Sequence, residues 1–371
     1  MNIQWIIFVT IVVVLAQGIL SKGWLLKDLS YGRFFSKLAV FEGQEVEMIE
    51  KIKNNKLLPV PWLRVESKIS ENLEFQKQSN LNIKHQQFHK SLFSLMSYTG
   101  ITRRHKIMCK KRGCYRLNSV ALTCGDLFGF QDDSQVYELE AELLVYPRLI
   151  ALDEIPMLSR SWMGDVVVKR WIIEDPFMYS GVRQYSPGDS LNNINWKATA
   201  RIGSLQVHKR DYTADPRLMV YLNMDVTENM WGPITEPELI EEGISYAASI
   251  IQYGISQGIN TGFGCNGHLI GQSSRQSVRI LPRNGEGHLT FLFEAMARLV
   301  MERSVTFHTF LEGDIEDRAM GAFSGSVDYL FITAFVNERM ENQIRQLENM
   351  GNSVEILWLK DPKKEGERLG A

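Results

Sequence analysis

The chain has 371 residues, of which 44% are hydrophobic and 23% charged, with a formal net charge of −2. That mixture excludes a disordered or fibrous chain, and the length calls for at least two hydrophobic cores. Near-neutral charge excludes a global field that draws the protein to nucleic acid or acidic lipid, so any such binding is local. The four cysteines, Cys109, Cys114, Cys124 and Cys265, form no C-x-x-C pair, and no histidines cluster at metal-ligand spacing, which argues against a zinc site. A disulfide in the segment holding the first three would need an oxidising compartment; reduced, buried thiols are expected.

Ile3 to Leu20 is an apolar run interrupted only by Gln4, Thr10, Gln17 and Gly18. As a helix it spans roughly 27 Å, the thickness of a bilayer's hydrocarbon core. Lys22, Lys27, Arg33 and Lys37 follow it and no lysine or arginine precedes it, so the positive-inside rule places the rest of the chain in the cytoplasm. The small residues Ala16-Gln17-Gly18 also suit signal-peptide cleavage, but the basic n-region that a signal peptide needs is missing. Residues 1–21 are therefore expected to be an uncleaved, single-pass anchor.

Residues 35–150 predict a β-rich, sandwich-like module. Val46, Met48 and Ile52 alternate with charges, Asn54-Asn55 supplies a turn, and Leu63, Val65 and Ile69 resume the alternation. Leu58-Pro59-Val60-Pro61-Trp62 reads as an edge or crossover, because neither proline has a backbone donor. Further strands are predicted over Ile101 to Tyr115 and Leu117 to Cys124. Seven lysines and arginines and no acid lie between Ile101 and Arg116. Their alternation with apolar residues marks a solvated strand face, with binding to anionic lipid or nucleic acid through Arg103 to Arg116 as the alternative.

Residues 151–215 carry a motif. Gly181-Val182-Arg183-Gln184-Tyr185-Ser186-Pro187-Gly188-Asp189 is followed by Ile194-Asn195-Trp196-Lys197-Ala198-Thr199-Ala200-Arg201. Pro187-Gly188 suits the centre of a type II turn, Asp189 or Ser190 is expected to cap a short helix, Gly203 to end it, and Leu205 to Tyr212 to form a strand. The charged side chains read as a buried ion-pair and turn motif, with Tyr185 and Trp196 as packing anchors between them. R-x-Y-x-P-G-D followed by I-x-W-K-x-x-A-R resembles the signature of the bacterial family called domain of unknown function 58. Lys111-Arg112-Gly113-Cys114-Tyr115, Asp126-Leu127-Phe128-Gly129-Phe130 and Val145-Tyr146-Pro147-Arg148 are similar to the family's upstream landmarks. The resemblance implies Arg183, Tyr185, Gly188, Asp189, Trp196, Lys197 and Arg201 as signature residues, and a MoxR-type AAA+ ATPase as partner.

Residues 216–360 alternate between strand and helix. Strands are predicted at Leu218 to Met224, near Thr261 to Cys265, and at Val278 to Leu281, Val327 to Thr333 and Val354 to Leu359. Helices carry the Ile240, Ile244, Ala248, Ile251, Ile255 stripe and the spans His288 to Val300 and Asn337 to Met350. This predicts a Rossmann-like, doubly wound parallel sheet. The first strand ends in Asp225-Val226-Thr227-Glu228-Asn229, which resembles the D-x-S-x-S of the von Willebrand factor A metal-ion-dependent adhesion site. Asp225 and Thr227 match, Asn229 replaces the second serine, and Thr333 is followed by Ala334 and Phe335 where the resemblance leads one to expect T-D-G. The fold expected is thus a von Willebrand A-like α/β domain with a degenerate site at which Mg²⁺ is not expected. No G-x-x-x-x-G-K-[ST] is present, and Gly262-x-Gly264 reads as a strand packed close to a neighbour rather than a dinucleotide loop. Residues 361–371 read as a disordered tail.

These features together predict a membrane-anchored cytoplasmic scaffold or adaptor rather than an enzyme, without a cofactor. The alternative enzyme would use Asp189 and Asp225 with Lys197 or Arg201 on a phosphorylated or cell-envelope intermediate.

Overall fold

The computed structural model describes residues 3–5, 7–9, 12, 26–75, 88–125, 132–156, 174–186, 194–212, 217–228, 234–272, 274–320 and 326–359. Of the predicted anchor only residues 3–5, 7–9 and 12 fall in this set, and all are helical. No helix among the described residues is long and apolar enough to cross a membrane. The predicted tail, 361–371, lies outside the described residues. The chain forms a mixed α/β structure with several sheets, divided into two units, Met1–Arg148 with Phe293–Leu299, and Leu149–Leu292 with Val300–Ala371.

The first unit is built from β1 (Leu29–Phe35), β2 (Ala39–Phe41), β3 (Glu45–Asn54), β4 (Val60–Lys68), β5 (Leu73–Phe75), β6 (Phe88–Leu95), β7 (Gly100–Cys109), β8 (Gly113–Gly125) and β9 (Asp132–Tyr146). They form a four-stranded sheet ordered β1-β3-β7-β5 and a five-stranded sheet ordered β2-β9-β8-β4-β6. One apolar cluster joins Val46, Met48 and Ile107 of the first sheet to Leu117, Leu143 and Val145 of the second; another joins Leu29 and Ile52 to Leu63, Val65, Phe93 and Leu122. Each sheet therefore buries one face against the other, as the period-two pattern requires. The expectation for Pro61 needs correction, because β4 pairs with both β6 and β8 and is an interior strand. Pro61 is tolerated because the β4–β6 register shifts between Val60 and Leu63, so the missing N–H falls in an irregularity of the ladder.

The second unit opens with the antiparallel pair β10 (Glu174–Gln184) and β11 (Gln206–Tyr212), joined through a short helix α1 (Trp196–Ile202). Then come β12 (Arg217–Leu222), α2 (Pro237–Ser256), β13 (Asn260–Cys265), β14 (Gly267–Leu269), β15 (Val278–Arg283), α3 (Glu286–Arg298), β16 (Leu299–Arg303), α4 (Phe307–Ala319), β17 (Asp328–Thr333), α5 (Glu338–Asn349) and β18 (Ser353–Trp358), with Phe293–Leu299, the end of α3 and the first residue of β16, counted in the first unit. The main sheet runs β15-β13-β12-β17-β18. β12, β13, β17 and β18 are parallel, but β15 is antiparallel to β13, so the sheet is not wholly parallel as predicted. Met219 and Tyr221 pack with Phe307, Phe310 and Leu311 of α4 and Met340 and Leu347 of α5. Gly243 and Gly254 of α2 lie against Leu222 and Leu218, which alternate with those residues along β12 and so face the other way. Helices thus cover both faces of the sheet.

Helix α4 carries no strong sequence signal and was not predicted, because its buried face includes a carboxylate. Asp314, 1% exposed, accepts from the Tyr329 hydroxyl at 2.7 Å and pairs with Arg279 at 2.9 Å. Gly262 and Gly264 are close-approach positions, as their sequence context predicts. A Cβ on Gly262 would lie 2.5 Å from the Ile280 carbonyl oxygen, and one on Gly264 2.6 Å from the Tyr221 ring.

Candidate functional site

The signature residues emerge from the β10–α1–β11 element. Asn195 caps α1, its side chain accepting from the Ala198 N–H at 2.9 Å, and Gly203 ends it at φ 76°. The cap is therefore Asn195 and not Asp189 or Ser190, which lie with Gly188 outside the described residues. The Thr199 hydroxyl donates to the Asn195 carbonyl and accepts from the Gln206 N–H, tying helix to strand. Ile194 is buried and bridges Val207, and Tyr185 is half-buried, its N–H donating to the Leu205 carbonyl.

Two expectations about this motif fail. Trp196 is no packing anchor, since it is 68% exposed at the first position of α1. Arg183, Lys197 and Arg201 are exposed as well, so the motif's charges do not form a buried ion-pair core. A seven-residue helix held by its cap, Thr199 and Ile194 leaves Trp196, Lys197, Arg201 and Ile202 exposed, and Val182 and Leu205 are exposed on the same element. The element thus exposes large apolar side chains and basic groups together.

The second candidate lies at the carboxyl end of β12, where ligands of such sheets bind. Asp225 is buried and its oxygens are committed: Oδ2 accepts from the Phe307 N–H, which opens α4, at 2.9 Å, and Oδ1 pairs with Arg303 at 3.3 Å. Its own N–H donates to Asn223, whose side-chain amide donates in turn to the Thr333 hydroxyl. Thr227 is exposed, and Asn229 lies outside the described residues. Asp225 thus acts as an anionic cap on α4. The Arg303 guanidinium balances the Asp225 charge. Arg303, Asn223 and the bridging Asn266, which accepts from the Met224 N–H and donates to the Val305 carbonyl, match no motif and went unrecognised in the sequence.

The basic strand of the first unit is partly paired with acidic neighbours. Arg104 pairs with Glu47, Lys110 with Glu74 and Arg116 with Glu142, while Arg103 lies 4.0 Å above the Phe93 ring and Arg112 is buried. Pairing with acids of neighbouring strands thus engages three of the seven basic residues between Ile101 and Arg116.

A polar layer inside the first unit was not anticipated. Arg33 of β1, Glu50 of β3, Ser67 of β4, His89 and Ser91 of β6 and His105 of β7 are all buried, between the two apolar clusters. Glu50 accepts from Tyr31, Arg33, Ser91 and His105, and Arg33 also donates to Ser67. Burial pushes the Glu50 carboxyl up, but the His105 hydrogen bond and the Arg33 charge outweigh it and hold the group well below the ordinary carboxylate range. Arg33 can only donate, so His89 Nδ1, 3.4 Å away, accepts, and the proton of neutral His89 sits on Nε2, which has no partner among the described residues. Burial lowers the His89 pKa to about 4. Glu50, His89 and His105 offer ligand atoms within 4.8 Å of one another, brought together from three strands rather than by sequence spacing. A divalent ion there would meet the Arg33 cation in a closed, low-dielectric core, and the carboxylate is already balanced; the layer is a structural ion-pair network. The one sequence cue is phase, for Glu50 falls in the inward register set by Val46, Met48 and Ile52.

In the Bacillus subtilis (strain 168) proteome, the uncharacterized protein YeaD is 22% identical over 263 residues, covering 70% of this chain and 61% of its own length. The chain thus spans about three fifths of that curated relative. Among solved structures, a non-cellulosomal cohesin from Archaeoglobus fulgidus aligns with 31% of this chain and 91% of its own at 11% identity and a TM-score of 0.23. A type I cohesin from a Clostridium thermocellum cohesin–dockerin complex aligns with 32% and 94% at 13% identity and a TM-score of 0.22. Similarity at that level carries no argument. Residues 181–364, which begin at the signature strand and run through the main sheet, match the family described as protein of unknown function DUF58, and the chain belongs to that family.

Proposed function

We propose that this protein is a membrane-anchored scaffold or adaptor that binds a protein partner through the α1 surface. The observation that carries the reading is Trp196, 68% exposed in the signature motif, with Lys197, Arg201 and Ile202, itself 60% exposed, on the same short helix. An exposed tryptophan among arginine and lysine is the composition of an interface anchor rather than of a solvated helix. It fits a partner with an apolar pocket rimmed by acids. A MoxR-type AAA+ ATPase, implied by the family resemblance, is the partner proposed, with the Ile3–Leu20 segment holding the assembly on the cytoplasmic side of the membrane.

The β15-β13-β12-β17-β18 order with its antiparallel edge supports reading the second unit as a von Willebrand A-like domain. In this domain the Arg303–Asp225 pair stands in for the adhesion-site cation, so contact with the partner does not run through a metal. The test is affinity purification of the tagged full chain in detergent at native expression, beside Trp196→Ala, with mass spectrometry of what co-purifies. The reading requires an AAA+ ATPase with the parent and its loss with the folded variant; parent and variant recovering the same proteins would contradict it.

A further inference from the structure

At one end of the first unit, two loops are clamped together where the chain arrives from its apolar N-terminal segment. Asn54, fully buried, donates through its side-chain amide to the carbonyls of Leu58 at 2.9 Å and Met96 at 3.0 Å. The Tyr98 N–H donates to the Lys56 carbonyl, and the Ser97 hydroxyl to that of Leu57. The same loops hold the incoming chain: the Asn55 N–H donates to the Asp28 carbonyl at 2.9 Å and Lys56 Nζ to the Lys27 carbonyl at 2.8 Å.

This rigidly tied end presents apolar side chains outward. Leu57 is 72% exposed, Leu58 46%, Met96 67% and Tyr98 66%. Asp28 and Tyr98 are the described residues other than glycine with positive φ, 56° and 54°. An aromatic residue in the left-handed region is costly, and here the conformation holds the ring at a loop tip. Lys27 and Lys53 are exposed at this end and Lys56 half-buried, with Asp28 beside them and Asp132 and Asp133 close by on β9. The charges nearly cancel, which leaves the apolar groups and the tyrosine to decide what the surface binds.

We propose that the paired loops 55–58 and 96–99 are a membrane-contact surface that seats the first unit on the lipid bilayer. The inference rests on the anchor reading of Ile3–Leu20. Only seven residues separate Leu20 from Asp28, so the loops lie within about 28 Å of the end of that segment even when the connection is fully extended. Leucine and methionine reach the acyl boundary, Tyr98 suits the headgroup level, and the exposed Lys27 and Lys53 stand at the phosphate level.

The experiment uses the full chain in vesicles of phosphatidylcholine and phosphatidylglycerol, with a polarity-sensitive fluorophore on Leu57→Cys, on Met96→Cys, and on Leu38→Cys as control, all in a Cys114→Ser background. Leu38 is 82% exposed and follows β1 at the opposite end of the strand, about 20 Å away. The expected result is a severalfold rise in emission and quenching by brominated lipid at positions 57 and 96, and neither at position 38. Labels at 57 and 96 as wet as that at 38, in protein that resists alkaline carbonate extraction, would overturn the inference while leaving the anchor intact. Release of the chain by carbonate would overturn the anchor reading, and this inference with it.

Discussion

Replacing Glu50 by glutamine keeps the shape of the side chain and removes its charge. In the folded protein that carboxylate accepts from Tyr31, Arg33, Ser91 and His105 inside a layer from which water is excluded. Glu50→Gln leaves the Arg33 guanidinium without a counter-ion and replaces one acceptor oxygen by an N–H₂ group, which cannot accept the Arg33 or His105 hydrogen bond. Breaking a buried pair by removing one partner costs about 3–5 kcal/mol. A domain is stable by about 5–15 kcal/mol, so the variant is expected to lose about a fifth of its stability or more. Arg33→Met in the same background removes the stranded charge, so the double-mutant cycle should return a coupling of about 2–3 kcal/mol. Urea denaturation read by hydrogen exchange in peptides covering β3 and β7 isolates this unit from the other. A loss below about 1 kcal/mol for Glu50→Gln, or a coupling indistinguishable from zero, would refute the account of the polar layer as an ion-pair network.

The same layer gives an acid response. The folded His89 pKa, about 4, lies below its ordinary 6.5, so its contribution is intact above pH 6.5 and is lost as pH falls toward 4, by about 3 kcal/mol in all; Glu50 adds a loss in the same direction at lower pH, and His89→Gln should flatten the upper part of the curve in a urea titration. Trp196→Ala, at an exposed position, should change stability by no more than about 0.5 kcal/mol in a thermal melt while removing the co-purifying partner. Asp225→Ala removes the cap of α4 and the partner of Arg303 and should cost about 1–2 kcal/mol, with no Mg²⁺-dependent rise in melting temperature for either parent or variant; a Mg²⁺-dependent rise that Asp225→Ala abolishes would restore a metal role. Gly262→Ala places a methyl against the Ile280 carbonyl and Pro282 nitrogen, backbone atoms that cannot swing away, and should cost about 1–3 kcal/mol in the same assay.

Periodicity carried most of the architecture. Continuous apolar runs such as Leu218 to Leu222 and the Ile240 to Ile255 stripe have one physical solution each, a covered strand and a one-faced helix. What escaped was polar. Asp314 inside α4 broke the helical stripe, and Arg33, Glu50, His89 and His105 each looked like an ordinary wet residue until four strands brought them into one layer. Strand direction was equally silent, because the sequence of β15 reads the same in a parallel or an antiparallel pair. In the signature, the residue types were legible and their orientation was not: Trp196 reads as core by composition, yet with Asn195 capping and Ile194 packing, the first turn of α1 presents it to solvent. Asp225 was legible as a β-strand terminus; that it would cap a helix opening at Phe307 depended on an element the sequence did not reveal.

The most direct test of the adaptor reading is a photo-crosslinking amino acid placed at Trp196 and, separately, at Ile202 in the full chain expressed in its native host, with Leu281, 42% exposed on β15, as the comparison position. The account predicts a discrete crosslink from positions 196 and 202, identified by mass spectrometry as an AAA+ ATPase, and none from 281. Crosslinks from 196 and 202 that match those from 281, or that lead only to water, would contradict it.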